Sequence, residues 1–164
     1  MNRQKQLIAG EKFEREIMES FKHVFGTGFK EDAEDKVDLK QLVTYQCKSM
    51  GKILREHKMA AEHFKWVEIH NVHGDGGVML SEVDFIVYEM RDYYLVVSRK
   101  KLFDFLKGKL RSRVTRDELV QAVNSDSLYD VVYRPYSRAT RKDVLILVPT
   151  VDLIYAGGNL VKRM

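Results

Sequence analysis

Val43-Thr44-Tyr45-Gln46-Cys47-Lys48 is a short β-prone run that follows the acidic segment Glu31-Asp32-Ala33-Glu34-Asp35-Lys36-Val37-Asp38. Strand alternation sets Val43, Tyr45 and Cys47 on one face and Thr44, Gln46 and Lys48 on the other. An amide oxygen and an ammonium then project from the same side of one strand, with carboxylates a few residues upstream. That grouping suits a divalent metal and a phosphate.

Five carboxylates in the eight positions from Glu31 to Asp38 ordinarily make a solvated loop. Asp38 differs, because Val37-Asp38-Leu39 reads as the edge of a strand. If 37–40 pair antiparallel with 44–48 through a turn at Gln41-Leu42-Val43, Asp38 comes opposite Gln46. Asp35 is the reserve candidate. Upstream, Leu7 to Phe25 reads as a helix closed by Gly26-Thr27-Gly28. Phe13, Ile17, Met18, Phe21, Val24 and Phe25 form its apolar arc, while Lys12, Arg15, Glu16, Glu19, Lys22 and His23 lie opposite. Glu14 falls inside the arc, where a carboxylate is costly unless paired, protonated or bound to a cation. An ion pair at the helix edge and a metal-binding role both satisfy it.

Downstream, Ser49 to Trp66 is expected to be a second helix, with Ile53, Leu54, Ala61 and Phe64 at helical spacing and His57 on the same stripe. Val67-Glu68-Ile69 starts a strand. His70-Asn71-Val72-His73-Gly74-Asp75 contains metal-ligand residue types but lacks the spacing of a helical zinc pair, so it reads as a loop. Residues 83–90 and 93–98 form a hairpin turning at Arg91-Asp92. Lys101 to Leu110 begins a helix, and Thr115 to Val123 another, with Thr115 and Glu118 spaced as a capping box. Strands are expected at Asp130 to Tyr133, Asp143 to Val148 and Val151 to Tyr155.

The chain has 164 residues, 45% apolar and 32% charged, enough for one domain with a real core. We read residues 1–164 as a single domain, its core at about 7–110 and a helix-and-strand extension at about 111–164. The lone Cys47 excludes an internal disulfide framework and a Cys-rich zinc site, which fits a reducing, intracellular (cytoplasmic) setting. No run approaches the length of a membrane span. The net charge is only +4, but Arg99 to Arg116 holds eight Lys or Arg against one acid, Asp104. A polyanion is the partner this distribution suits. Lys100, Lys101, Arg111 and Arg113 are its candidate contacts. Tyr133 to Lys142 interleaves Arg134, Arg138, Arg141 and Lys142 with hydroxyls and aromatics, as either a sugar-phosphate grip or a polar connection.

The order of a helix with an inward Glu, an Asp at a strand edge, a Gln-x-Lys strand, a helix and a hairpin resembles the PD-(D/E)XK nuclease superfamily. Gly10-Glu11-Lys12-Phe13-Glu14-Arg15-Glu16-Ile17 is similar to the opening helix of archaeal-type Holliday-junction resolvases. Tyr45-Gln46-Cys47-Lys48 looks like the Gln-x-Lys motif of Mrr-like members. The resemblance spans about the first hundred residues and follows element order more than identity. It implies a restriction-endonuclease-like α/β fold, a mixed central sheet flanked by helices. It also implies a catalytic set of Glu14, Asp38, Gln46 and Lys48. The chain departs from the pattern in the short Asp38-to-Gln46 gap and in lacking a Pro before Asp38.

On this resemblance the chain would be a Mg²⁺-dependent DNA endonuclease, with Mn²⁺ as a substitute. Glu14, Asp38 and Gln46 would hold the ion and Lys48 would stabilise the transition state. The implied substrate is branched DNA such as a four-way junction, and two coordinated cuts imply a homodimer. The alternatives are a non-catalytic nucleic-acid-binding or assembly protein on the same fold, and a restriction-type or linear-end nuclease. A site around Asp84 and Glu89 is a further possibility, without a lysine at matching spacing.

Overall fold

In a computed structural model of the chain, the described residues are 12, 15–17, 30–31, 39–40, 44–48, 62–70, 78, 83–137 and 143–164, with the backbone alone for 30–31, 39–40 and 44–48. The strands are β1 (Lys30–Glu31), β2 (Leu39–Lys40), β3 (Thr44–Lys48), β4 (Phe64–His70), β5 (Phe85–Glu89), β6 (Tyr93–Ser98), β7 (Val144–Pro149) and β8 (Asn159–Lys162). The described helices are α1 (Arg99–Leu106), α2 (Arg116–Asn124) and α3 (Thr150–Tyr155), with a 3-10 turn at Leu128–Val131. Lys12 and Arg15 to Ile17 are helical, inside the first expected helix.

The architecture is mixed α/β. A six-stranded sheet runs β1-β2-β3-β5-β6-β8, and β4 pairs with β7 in a separate two-stranded ladder. Only β3 with β5 is parallel among these pairs. The β5–β6 hairpin turns at Arg91-Asp92 as expected, with the Met90 N–H donating to the Tyr93 carbonyl at 3.0 Å. Ile86, Val87 and Tyr88 on β5, and Tyr94 to Val97 on β6, are all buried. Strands apolar on both faces need cover on both. Ile86, Tyr88, Leu95 and Val97 pack with Val67 and Ile69 of β4, Leu102 and Leu106 of α1, Ile146 and Val148 of β7, and Leu153 of α3. The other face of the β4–β7 ladder carries a second cluster, in which Phe64 and Leu147 meet Leu119 and Ala122 of α2, Leu128 and Val131.

Arg163 ties Glu16 of the first helix to the β5–β6 hairpin. Its guanidinium donates to Glu16 at 2.6 Å and to the Met90 carbonyl at 2.9 Å, approaches Glu89 at 3.5 Å, and lies 5.3 Å from the Tyr94 ring centroid. The expected solvent side of the first helix thus carries, at Glu16, a partner for the C-terminal segment.

Four expected elements differ. The helix expected over Lys101 to Leu110 begins at Arg99 and closes at Leu106, ahead of Gly108 with its φ of 77°. Phe64 to Trp66 belong to β4 rather than to the end of a helix, because Phe64 and Trp66 serve the second cluster while Lys65 and Val67 face the first. Asp130 to Tyr133 is no strand. It is the end of the 3-10 turn followed by an isolated bridge from Val132 to Leu147, and Tyr133 has a left-handed φ of 59°. Val151 to Tyr155 is helix α3, despite its alternating β-prone composition. Pro149 begins it, and a Schellman closure ends it: Gly158 N–H donates to Leu153 O and Gly157 N–H to Ile154 O, each at 3.0 Å. Gly157 takes φ of 101°, open to glycine. The expected capping box is present, with Thr115 Oγ1 accepting from Glu118 N at 3.2 Å and Glu118 Oε2 from Thr115 N at 2.7 Å.

Lys65 points with Val67 into the first core and is only 4% exposed. Burial lowers its ammonium from 10.5 to about 8, against the opposing fields of Glu62 and Glu89. Below pH 8 both folded and unfolded chains carry the proton, and desolvation of the charge opposes folding. Between about 8 and 10.5 the unfolded chain holds the proton more tightly, so rising pH favours the folded state. The stability of the wild type relative to Lys65→Met should therefore increase from about pH 7.5 to about 9.5, read from urea midpoints. A pH-independent difference would mean that the ammonium stays hydrated.

Candidate nucleic-acid interface

β3 forms at Thr44–Lys48, within the expected run. Leu39 lies opposite Tyr45 and Lys40 opposite Thr44, the register foreseen for this hairpin. On its other side β3 runs parallel to β5, with Gln46 level with Ile86 and Lys48 level with Tyr88. The backbone of the Gln-x-Lys pair is thus paired to β5 on one side, while the described part of β2 reaches only Thr44 and Tyr45 on the other. Burial, and after it the charge of Glu68, pushes the Tyr88 phenol well above its usual range. Glu14, Asp35, Asp38 and His57 lie outside the described residues.

Asp84 and Glu89 do not converge. They flank β5 at opposite ends, five residues or roughly 16 Å apart at strand rise, and Glu89 meets Arg163. His70 ends β4 with a buried Nδ1 that has no hydrogen-bond partner among the described residues, while His73 and Asp75 lie outside them. Among the described residues no group of three His, Cys, Asp or Glu is placed to hold a metal ion. Nor is any described helix long and apolar enough to cross a membrane.

The two cationic segments that are separate in sequence come together in the fold. Arg111 N–H donates to Tyr133 O at 2.8 Å and Val114 N–H to Pro135 O at 3.1 Å, so 111–114 and 133–135 run side by side. Arg113 Nη1 reaches Ser137 Oγ at 2.9 Å. Arg134 is turned inward, its side chain 18% exposed. It donates from Nε to Ser112 O at 3.0 Å and from Nη2 to Arg113 O at 2.7 Å, and pairs with Glu118 at 3.4 Å. Backbone and side-chain hydrogen bonds from Thr115, with the Arg134 charge, hold the Glu118 carboxyl below its ordinary value. Arg134 thus shapes the surface that Arg111 and Arg113 present. Arg138, Arg141 and Lys142 lie outside the described residues.

Tyr133 is the joint of this ribbon. Its left-handed backbone lets its N–H donate to Leu147 O at 3.0 Å while its carbonyl receives Arg111. Its hydroxyl donates to Asp152 at 2.5 Å. Burial first, then this bond and the Asp152 charge, push the phenol upward. A non-glycine residue in that region persists only where several contacts over-determine it.

The cations of 99–116 also divide by role. Arg99 donates to the carbonyls of Val83 at 3.0 Å and Val78 at 3.2 Å and so holds the chain before β5. Lys107 pairs with Asp104 at 3.2 Å and lies 4.5 Å over Phe103. Lys100, Lys101, Arg111 and Arg113 are exposed. Composition could not separate these roles, because a cation's job depends on which carbonyls the fold leaves within its reach.

No family model matches the chain, and neither a curated protein nor a solved structure matches it.

Arg134→Met should leave the Ser112 and Arg113 carbonyls without their donor. A loss of about 1 kcal/mol or more in unfolding free energy is expected. Arg111→Ala, at an exposed side chain, should leave stability unchanged. The reverse pattern in urea melts would mean that Arg111, and not Arg134, holds these segments together.

Proposed function

We propose that this chain is a metal-dependent DNA endonuclease with a restriction-endonuclease-like core. What supports the reading most is β3: the Gln46-x-Lys48 pair occupies a strand held between antiparallel β2 and parallel β5, in the hairpin register that the sequence proposes. The basic ribbon offers the phosphate-binding surface such an enzyme needs.

The donor set Asp38, Gln46 and Glu14 consists of hard oxygens, which suits Mg²⁺, and Mn²⁺ by the same chemistry. Bound there, the ion would make a water more acidic and offset charge on the scissile phosphate. Asp38 would contribute the first full negative charge. Gln46 contributes a neutral oxygen where a glutamate would bring a second charge, so Glu14 carries more of the site's charge balance. Lys48 acts as a fixed cation for the charge that builds up on the phosphate oxygens, since an ammonium is no base unless its pKa is strongly lowered. Branched DNA is the proposed substrate and a two-fold dimer the proposed assembly, because paired cuts in opposite strands need two sites.

A non-catalytic nucleic-acid-binding protein is the second reading. It is favoured by one observation: the described ribbon is assembled by Tyr133, Arg134 and Arg113, none of which belongs to the proposed catalytic set.

Labelled four-way junction, duplex and single strand, each incubated with protein in Mg²⁺ and in EDTA, separate the two. Lys48→Ala should cut ~100-fold more slowly or not at all, with folding and EDTA-phase binding retained. Glu14→Gln should need more Mg²⁺ for the same rate. Wild-type binding without metal-dependent cutting would leave only the non-catalytic reading, and a Lys48→Ala protein that cuts at full rate would remove Lys48 from the chemistry.

A further inference from the structure

We infer that the surface around Tyr155 is a stacking platform for an unpaired base, so that this chain engages single-stranded or branched DNA in preference to continuous duplex. The inference rests on the nucleic-acid side of the reading above and adds to it the form of DNA that is gripped.

Helix α3 buries Thr150 and Leu153 and turns its other side outward, with Val151 60%, Ile154 41% and Tyr155 86% exposed. An aromatic side chain can bury 150–250 Å², and here nearly all of that surface faces water. The ring is nonetheless held near the body of the protein, 6.4 Å between centroids from Phe105 of α1 at an interplanar angle of 59°.

Two lysines lie against the neighbours of this ring, one over Phe105 and one across the turn after Tyr155. Lys109 Nζ lies 4.6 Å over the Phe105 ring and 5.8 Å from Tyr133. Lys101 lays its aliphatic stem across the turn that follows Tyr155, so closely that a Cβ at Gly157 would come within 3.1 Å of Lys101 Cδ. The turn itself is fixed, since a Cβ at Gly158 would come within 2.8 Å of both Leu153 O and Leu95 Cδ1. The nearby acids are engaged: Asp104 holds Lys107, and Asp152 accepts from the Tyr133 hydroxyl.

An exposed aromatic, with lysines on the segment that its ring packs against, matches the two things a single strand offers together, an open base face and a phosphate chain. A duplex offers the phosphates but keeps its base faces stacked inside. A second copy of this chain would bring Lys101 and Lys109 against their own kind, and like charges disfavour that contact.

The test is binding in EDTA, where cutting cannot interfere, of a labelled oligo-dT of about twelve nucleotides and of a duplex of equal length. Tyr155→Ala should weaken single-strand binding about tenfold and duplex binding by less than about twofold, and Tyr155→Trp should restore it. A 2-aminopurine in the strand should be quenched by wild type and not by Tyr155→Ala. Equal losses on both DNAs, no loss on either, or a change only in the self-association mass of the protein would overturn the proposal. The two readings fail separately. Wild type that cuts in Mg²⁺ while Tyr155→Ala binds single strand normally loses the platform alone. Wild type that discriminates through Tyr155 but never cuts loses the nuclease alone.

Discussion

The β4–β7 ladder is covered on both faces, and the layering of the molecule follows from that double burial. Val67 and Ile69 face the six-stranded sheet through Ile146 and Val148, while Phe64 and Leu147 face α2 and the 3-10 turn. A two-stranded ladder exposed to water on either side would be marginal. Sandwiched, it joins the hairpin β5–β6 to the C-terminal third of the chain in one continuous apolar interior. β7 and α3 are therefore part of the same packing as α1 and β5.

Arg163 performs by charge what the ladder does by packing. One guanidinium joins the first helix at Glu16, the end of β5 at Glu89 and Met90, and the face of Tyr94 on β6. It is part-buried, so its pairs with carboxylates are shielded from salt more than an exposed pair would be. Glu16 and the C-terminal segment are brought to one corner of the sheet by this residue.

The ladder's second face has a consequence for the surface above it. Tyr133 leaves the 3-10 turn in a left-handed conformation, takes its backbone partner from Leu147 on β7 and anchors its hydroxyl on Asp152 of α3. That single residue aligns the segment carrying Arg134 with the one carrying Arg111 and Arg113. Segments about twenty residues apart in sequence lie side by side, with Arg134 holding the backbone from which Arg111 and Arg113 face outward. The charge of the chain is modest; its concentration is what matters for a polyanion.

Local chemistry was sufficient for the elements that are decided locally. Thr115 and Glu118 are three apart and cap α2, Arg91-Asp92 turns a hairpin between two β-branched runs, and the β2–β3 register follows from the run ending at Lys48. The same local signals misplace Val151 to Tyr155, whose alternation suits a strand. Only the position of Leu153 in the common core and the Gly157-Gly158 closure select a helix there. Phe64 to Trp66 are drawn into β4 because both faces of that strand are wanted by a core, a demand no single window of residues contains. The Gln46-x-Lys48 pair and the cationic runs could be named from sequence, because residue type and spacing are local properties. Which cations are exposed, and that Arg134 is consumed by the carbonyls of Ser112 and Arg113, was decided by contacts about twenty residues away. Tertiary structure alone brings those groups within hydrogen-bond distance.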